Sequence, residues 1–250
     1  MVLFLACMKQ IELIKKCIEK FAPKDLAEDW DNTGVLVDCS FAMQDSGLNN
    51  KILLTIDLTE AVVDESIQKQ IYSIVCYHPV IFHPIKNITS KTLIKCIQSG
   101  ICVYSPHTQM DPLMNKFIMD RIGQDSISMQ GIVKILKDLS GLKTIRIVRG
   151  IESSKTPINE VYYSVENIKV GVGAAFRNVK FSNCLVVTGE MSHHDMLQCK
   201  HNNVDVILME HSNSERIFLG NLKSLMQSDQ ELENFEICLS EKDCDPVEFI

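Results

Sequence analysis

The sequence predicts an α/β fold built on a parallel or mixed sheet, and three observations lead there. Short apolar runs that read as buried strands, such as Lys51–Asp57, Ile71–Cys76 and Ile101–Ser105, alternate with segments of helical periodicity. The chain has 250 residues, 46% of them hydrophobic, which is enough to bury a core without disulfides or metal staples. Polar bursts rich in histidine and carboxylates directly follow several apolar runs, and open α/β sheets carry their ligands at that edge.

In chain order, Val2–Cys7 reads as the lead-in to a helix over Met8–Phe21, whose Ile11, Ile14, Cys17 and Ile18 share one face. Ala27–Gly34 is a turn-rich loop holding Trp30, the single tryptophan. Val35–Val37 starts a strand, Ser40–Asn50 is a polar loop, and Lys51–Asp57 is a strand. Thr59–Gln70 is a helix capped by Thr59, followed by strand Ile71–Cys76, helix Thr89–Gly100 and strand Ile101–Ser105. Asp111–Ile122 is a helix with Pro112 in its first turn. Gly131–Leu139 and Lys143–Val148 give a further helix and strand, and polar Glu152–Asn159 is the best compositional break between lobes. Strands follow at Val161–Ser164, Lys169–Gly173, Leu185–Thr188 and Val204–Met209, the last two joined by helix Ser192–Lys200. Ser214–Gln227 reads as one helix and Asn234–Leu239 as a final strand.

Composition excludes several classes. No apolar run approaches the roughly 20 residues of a membrane helix. Val2–Cys7 is too short for a signal-peptide core, and the absence of arginine before Arg121 argues against a mitochondrial leader. A net charge of −7 without a basic cluster removes the footprint of direct nucleic-acid binding. Ten cysteines without a C-x-x-C pair suit buried thiols in a reducing compartment, cytoplasmic or nuclear, and exclude a zinc ribbon. Neither a Walker phosphate loop nor a G-x-S-x-G elbow occurs, and Gly171-Val172-Gly173 reads as a plain turn ahead of a phosphate loop.

Thr188–Arg216 holds four of the seven histidines and organises the site. His211 directly follows the apolar run Val204–Met209 and forms H-x-x-x-E with Glu215; Ser212–Glu215 also matches a capping box, which gives Glu215 a structural reading. His78 is held extended before Pro79 at another strand end, or simply packs its ring on that proline. His83 repeats the His-Pro dipeptide on what reads as an exposed turn. His107 and Asp111 sit at a third strand end, where Asp111 is also an obvious helix N-cap and His107 a loop hydrogen-bonder. Adjacent His193 and His194 point about 100° apart on a helix, so at most one lines a pocket, and His194 is preferred. Imidazole and carboxylate together suit a borderline divalent ion: zinc, iron, manganese or nickel.

At these residues the chain resembles a known family. Trp30-Asp31-Asn32-Thr33-Gly34, Thr55–Thr59, Tyr77-His78-Pro79, Ser105-Pro106-His107-Thr108 with Asp111, Thr188–Asp195 and Glu210–Arg216 occur in the order found in the Nif-three-like family. Its members are named as interactors of a yeast transcriptional co-regulator and are labelled GTP cyclohydrolase type 2 homologues. The eukaryotic, fungal-like branch is the nearest, and the match covers 25–115 and 165–250. The resemblance implies two similar α/β lobes with mixed sheets facing a central cleft, here 1–125 and 126–250 within a single domain. It implies a cleft holding one or two divalent ions and a toroidal homo-hexamer. Carried over by motif, the metal ligands are His78, Asp111, His211 and Glu215. Tyr77 stands where the family's H-H-P has its first histidine, so one ligand is replaced. The stretch 116–160 is short beside larger eukaryotic members.

Two functions follow from the resemblance. One is a metal-dependent hydrolase of a small nucleotide-like or phosphorylated substrate. In that reading Glu215 is a ligand or base, His107 a proton shuttle, and Tyr77 and His194 contact substrate. The other is a non-enzymatic oligomeric protein that binds a transcription-regulatory or other partner and keeps a vestigial metal site. Retention of four ligands favours the first, and Tyr77 favours the second.

Overall fold

The computed structural model describes residues 2–40, 50–123, 125–178 and 180–247, with side chains described from Gln10 onward. Most of the loop expected over Ser40–Asn50 lies outside the described residues. The elements run α1 (Val2–Phe21), β1 (Gly34–Val37), β2 (Lys51–Thr55), α2 (Glu60–Gln68), β3 (Ser73–Cys76), α3 (Lys91–Gln98), β4 (Cys102–Ser105) and α4 (Asp111–Ile122). They continue β5 (Ile127–Ser128), α5 (Met129–Ser140), β6 (Arg146–Val148), β7 (Tyr162–Tyr163), β8 (Ile168–Gly171), β9 (Leu185–Thr188), α6 (His193–His201), β10 (Asp205–Leu208), α7 (His211–Arg216), α8 (Leu219–Gln227) and β11 (Glu236–Leu239). The chain divides into two compact units, Met1–Pro112 with Leu219–Cys244, and Leu113–Phe218 with Asp245–Ile250.

The first unit is built on a five-stranded mixed sheet in the order β1-β4-β3-β2-β11. β4, β3, β2 and β11 run parallel, and β1 is antiparallel to β4. β3 and β4 are buried along their whole length, which is why they read as unbroken apolar runs. α1 turns Ile11, Ile14, Cys17 and Ile18 inward, the spacing of a single buried helix face. Thr59 caps α2 as the sequence predicts, its hydroxyl accepting from the Val62 amide. Strand register, more than the core, positions the site residues. Thr55 pairs with Cys76, and Val75 with Tyr104, so β2, β3 and β4 all end at one sheet edge. Antiparallel β1 begins at that same edge, with Gly34 opposite Ser105, and therefore delivers the 27–33 loop there.

The second unit repeats the principle on a four-stranded sheet, β6-β10-β9-β8, with a separate pair β5-β7. β8, β9 and β10 are parallel and β6 runs against β10. Gly171 pairs with Thr188 and Thr188 with Leu208, so these three strands also share a carboxyl edge. Cys184, Val186, Cys199, Val204, Val206 and Leu208 form the packed layer between this sheet and α6.

Two sequence expectations are corrected. The helix expected over Ser214–Gln227 is two, α7 beginning at His211 and α8 at Leu219, and the break falls where the chain passes from the second unit to the first. The helical stretch before Phe21 reaches back to Val2. Among the described residues no helix is long and apolar enough to cross a membrane. Nine described cysteines are all free thiols, seven of them buried. Burial pushes the Cys17 and Cys96 thiols up to about 12 and Cys199 to about 11.

Candidate functional site

In the first unit the site residues sit just past the strand ends. His78, two residues beyond β3, places Nδ1 2.8 Å from Asp57 Oδ1, and Asp57 lies two residues beyond the neighbouring β2. His107, beyond β4, places Nδ1 2.6 Å from Asp31 Oδ1. Asp31 belongs to the loop that the start of β1 brings to this edge, and its side chain is 0% exposed. Its Oδ2 accepts from the Thr108 amide at 3.1 Å and from the Thr108 hydroxyl at 2.5 Å. Burial alone would raise the Asp31 carboxyl, but the hydrogen bonds from Thr108 and His107 outweigh it and hold it below the usual carboxylate range. His107 adopts a φ of 38°, a backbone strain that the Asp31 and Thr108 contacts hold in place.

Asp111 is not an N-cap. Its φ of −52° and ψ of −45° are helical, because the 3-10 turn His107–Met110 runs directly into α4, whereas a cap residue would be extended. Its carboxylate accepts from the Tyr77 hydroxyl at 2.5 Å. Tyr77 is 4% exposed and lies in ring contact with both His78 and His107, at centroid distances of 5.0 and 5.5 Å. Trp30, 62% exposed, and Phe82 pack their rings edge-on around His107. His83 is exposed and touches Phe82.

The second unit supplies the other pair. His211 opens α7 three residues beyond β10, and its Nδ1 lies 2.9 Å from Glu190 Oε1, two residues beyond β9. Its Nε2 lies 3.3 Å from Oε1 of Glu215, whose side chain is 2% exposed. The capping-box reading of Ser212–Glu215 fails because α7 already starts at His211; the Ser212 hydroxyl instead donates to Asp245 at 2.7 Å. Glycine is required around this pair. A Cβ on Gly173, at φ +60°, would lie 2.5 Å from Glu215 Oε1 and 3.3 Å from His211 Nε2. On Gly189 it would meet the Gly173 carbonyl and the Ser214 hydroxyl, each at 2.7 Å. The Val172 amide donates to Asn115 and the Gly173 amide to Ser214, so this G-x-G is a packing turn, as its sequence suggests, with its amides held inside the protein. Glu210, immediately before His211, has φ 65° and ψ 153°, a region that is nearly glycine-only, and its carboxylate is paired to Arg146 at 2.7 Å. His194 and His193 are both exposed at the start of α6, which Ser192 caps.

Sequence reasoning assigns no role to Asp31, Asp57, Glu190 or Glu210. All four lie inside the motifs already singled out, each near a strand end, and that position is the available signal. With Nδ1 turned to a carboxylate, the Nε2 of His78 and of His211 is the nitrogen suited to a metal, the usual outer-shell arrangement of metal-binding histidines. Within the second unit, His211 and Glu215 supply donors of the kind that can hold a divalent ion. The Gly173 cradle, which a methyl group would fill, fits that role.

A family model described as Duf34/NIF3 (NGG1p interacting factor 3) matches residues 9–246. The chain belongs to the Duf34/NIF3 family. NGG1-interacting factor 3 of Saccharomyces cerevisiae is 32% identical over 95% of this chain and 96% of its own. NIF3-like protein 1 of Drosophila melanogaster is 32% identical, covering 96% and 89% respectively. Among solved structures, hypothetical protein SA1388 of Staphylococcus aureus superposes with a TM-score of 0.75 at 20% identity, over 96% of this chain and 99% of that one. Reduced HcgD from Methanocaldococcus jannaschii gives 0.70 at 20% identity, over 91% and 96%. Both share the fold of this NIF3 family member.

Proposed function

We propose that this NIF3 family member is a metal-dependent hydrolase of a small phosphorylated or nucleotide-like substrate, with His78, Asp111, His211 and Glu215 as metal ligands. The observation that carries the reading is the His211–Glu215 pair, set against Gly173 and oriented by Glu190. A bound divalent ion would supply Lewis acidity and acidify water near neutral pH. Glu190 and Asp57 fix the tautomers of His211 and His78, so each presents Nε2 as the donor. Asp31 orients His107 through Nδ1, and His107 is the proton shuttle of this reading. Tyr77 and His194 are the substrate contacts of this reading, and a homo-hexamer is its assembly.

The test is metal content of protein purified without an affinity tag, together with melting temperature with and without added Zn²⁺ or Mn²⁺. Wild type should gain about 2.7 kcal/mol at a hundredfold excess of metal over Kd. Asp111→Asn and His211→Ala should gain much less. A turnover screen with GTP and other phosphorylated metabolites then identifies the substrate class. Light scattering that gives a monomer near 28.3 kDa would remove the hexamer.

A second reading, a partner-binding protein with a vestigial site, draws on the yeast relative's printed name, an interacting factor, and on Tyr77 at a ligand position. If wild type gains no stability from metal, this second reading takes over.

A further inference from the structure

We infer that Asp243, in the acidic tail, is a positioning residue that fixes the end of β2 so that Asp57 orients His78. The inference rests on the reading above that His78 is a site residue, and every group in it belongs to the first unit. One residue past β11, the Ser240 amide donates to the Leu54 carbonyl of β2 at 2.9 Å. Residues 240–243 then form a strap held by Glu65, which is only 4% exposed. The Glu65 carboxylate accepts from the Ser240 hydroxyl at 2.5 Å, the Glu241 amide at 3.0 Å and the Lys242 amide at 3.3 Å. Lys69, at the end of α2, pairs with the same carboxylate at 2.7 Å. A buried carboxylate is costly unless it is bonded in this way, so the strap has a specified course.

The strap delivers Asp243 to two consecutive amides just beyond β2. Its Oδ2 accepts from Ile56 at 2.9 Å and its Oδ1 from Asp57 at a longer 3.4 Å. Hydrogen bonds to an ionised acceptor are stronger than neutral ones. Both amides lead to His78. The Ile56 carbonyl accepts from the His78 amide at 3.0 Å, so a single residue links the strap to the backbone of the histidine. The Asp57 carbonyl accepts from the Thr55 hydroxyl at 2.8 Å, so the backbone of Asp57 is held on both sides. Its carboxylate then meets His78 Nδ1 at 2.8 Å. An ionised carboxylate only accepts, so Nδ1 carries the proton and Nε2 the lone pair that a metal needs.

The experiment is nitrogen NMR of the full chain, metal-free and labelled at histidine, at about pH 8, where histidine is ordinarily neutral. The His78 signals are those lost in His78→Gln. Wild type should show His78 as the Nδ1–H tautomer, and folded Asp243→Ala should show both tautomers. Asp243→Asn keeps one acceptor oxygen and should fall between them. Lys242→Ala, at a strap residue that bonds Glu65 through its amide, should match wild type. Zn²⁺ affinity should drop about tenfold in Asp243→Ala, the low end for an outer-shell partner. An unshifted tautomer in folded Asp243→Ala overturns the inference, even if the melting temperature falls, because Asp243 would then support only the fold. An unshifted Asp243→Asn overturns it if the alanine variant does not fold. So does a wild-type Nε2–H tautomer, or a shift in Lys242→Ala as large as in Asp243→Ala. If Asp243→Ala mixes the tautomers while wild type binds no Zn²⁺, or the variant binds it as tightly as wild type, the inference stands and His78 as a metal ligand falls.

Discussion

In the first unit a carboxylate two residues past β2 orients a histidine two residues past the adjacent parallel strand β3. In the second unit a carboxylate two residues past β9 orients a histidine three residues past the adjacent parallel strand β10. The device is the same, and the sheet supplies it: neighbouring parallel strands in register end side by side, so their next side chains meet. The difference lies in the extra residue, Glu210, and in what surrounds each histidine. His78 lies among the rings of Tyr77 and His107, bulky neighbours that the first edge accommodates. His211 sits against Gly173, and Gly189 closes on the Gly173 carbonyl, so the second edge tolerates no added methyl. A shared topology fixes which residues meet, while local packing decides how closely.

The largest expected effect separates the two edges by their ligands. His211 shares a chelating geometry with buried Glu215, so His211→Ala should lower Zn²⁺ affinity well beyond the roughly 10–100-fold that outer-shell partners contribute. His78→Ala should cost less. Calorimetric titration of both variants checks it, and equal losses would break the asymmetry.

Next come the orienting carboxylates. Asp57→Asn and Glu190→Gln should each lower metal affinity about 10–100-fold while leaving the melting temperature of the metal-free protein nearly unchanged. Glu190 is the more exposed of the two, at 49% against 36%, so the loss at Glu190 should be the smaller. A drop in metal-free stability with no change in affinity would show that these carboxylates only support the fold.

Most of the fold is legible in sequence because the parallel strands β2, β3, β4, β9 and β10 are buried almost throughout and so read as apolar runs ended by polar residues. His78, His107 and His211 are visible for the same reason: each closes such a run. The sequence is silent on which carboxylate meets which histidine. That pairing depends on strand order, and hydrophobic period carries no information about order; Asp31 reaches His107 only because β1 runs antiparallel to β4. One capping pattern misleads for a related reason, although those at Thr59 and Ser192 hold. Ser212–Glu215 has the residue types of a helix start, but α7 begins earlier, and only the backbone angles of Glu210 show it.

Glu210 sharpens the comparison through its backbone. At φ 65° and ψ 153° a non-glycine residue is strained by about 1–3 kcal/mol. Comparing Glu210→Gly with Glu210→Ala removes the Arg146 ion pair from both and leaves only the backbone difference. The glycine variant should unfold at higher denaturant, more stable than the alanine variant by about that amount. Equal stabilities would mean that the extra residue of the second edge carries no strain.

The smallest effect is a pH dependence expected at the first edge. Asp31 is held below the usual carboxylate range in the folded state by Thr108 and His107. A carboxyl with a depressed folded pKa binds fewer protons folded than unfolded, so it adds stability above the unfolded value of about 3.9. That stability is lost as pH falls through the lower folded value. Asp31→Asn keeps the shape and one acceptor oxygen, so near pH 7 it should lose about 1 kcal/mol, one net hydrogen bond. The informative measurement is denaturant unfolding of both proteins from pH 7 down to pH 3. The gap should hold steady to about pH 4, near the unfolded carboxyl's own pKa, and narrow below it. A gap that stays constant to pH 3 would mean that His107 and Thr108 do not stabilise the Asp31 charge, and the first edge would then lack the electrostatic lock assigned to it.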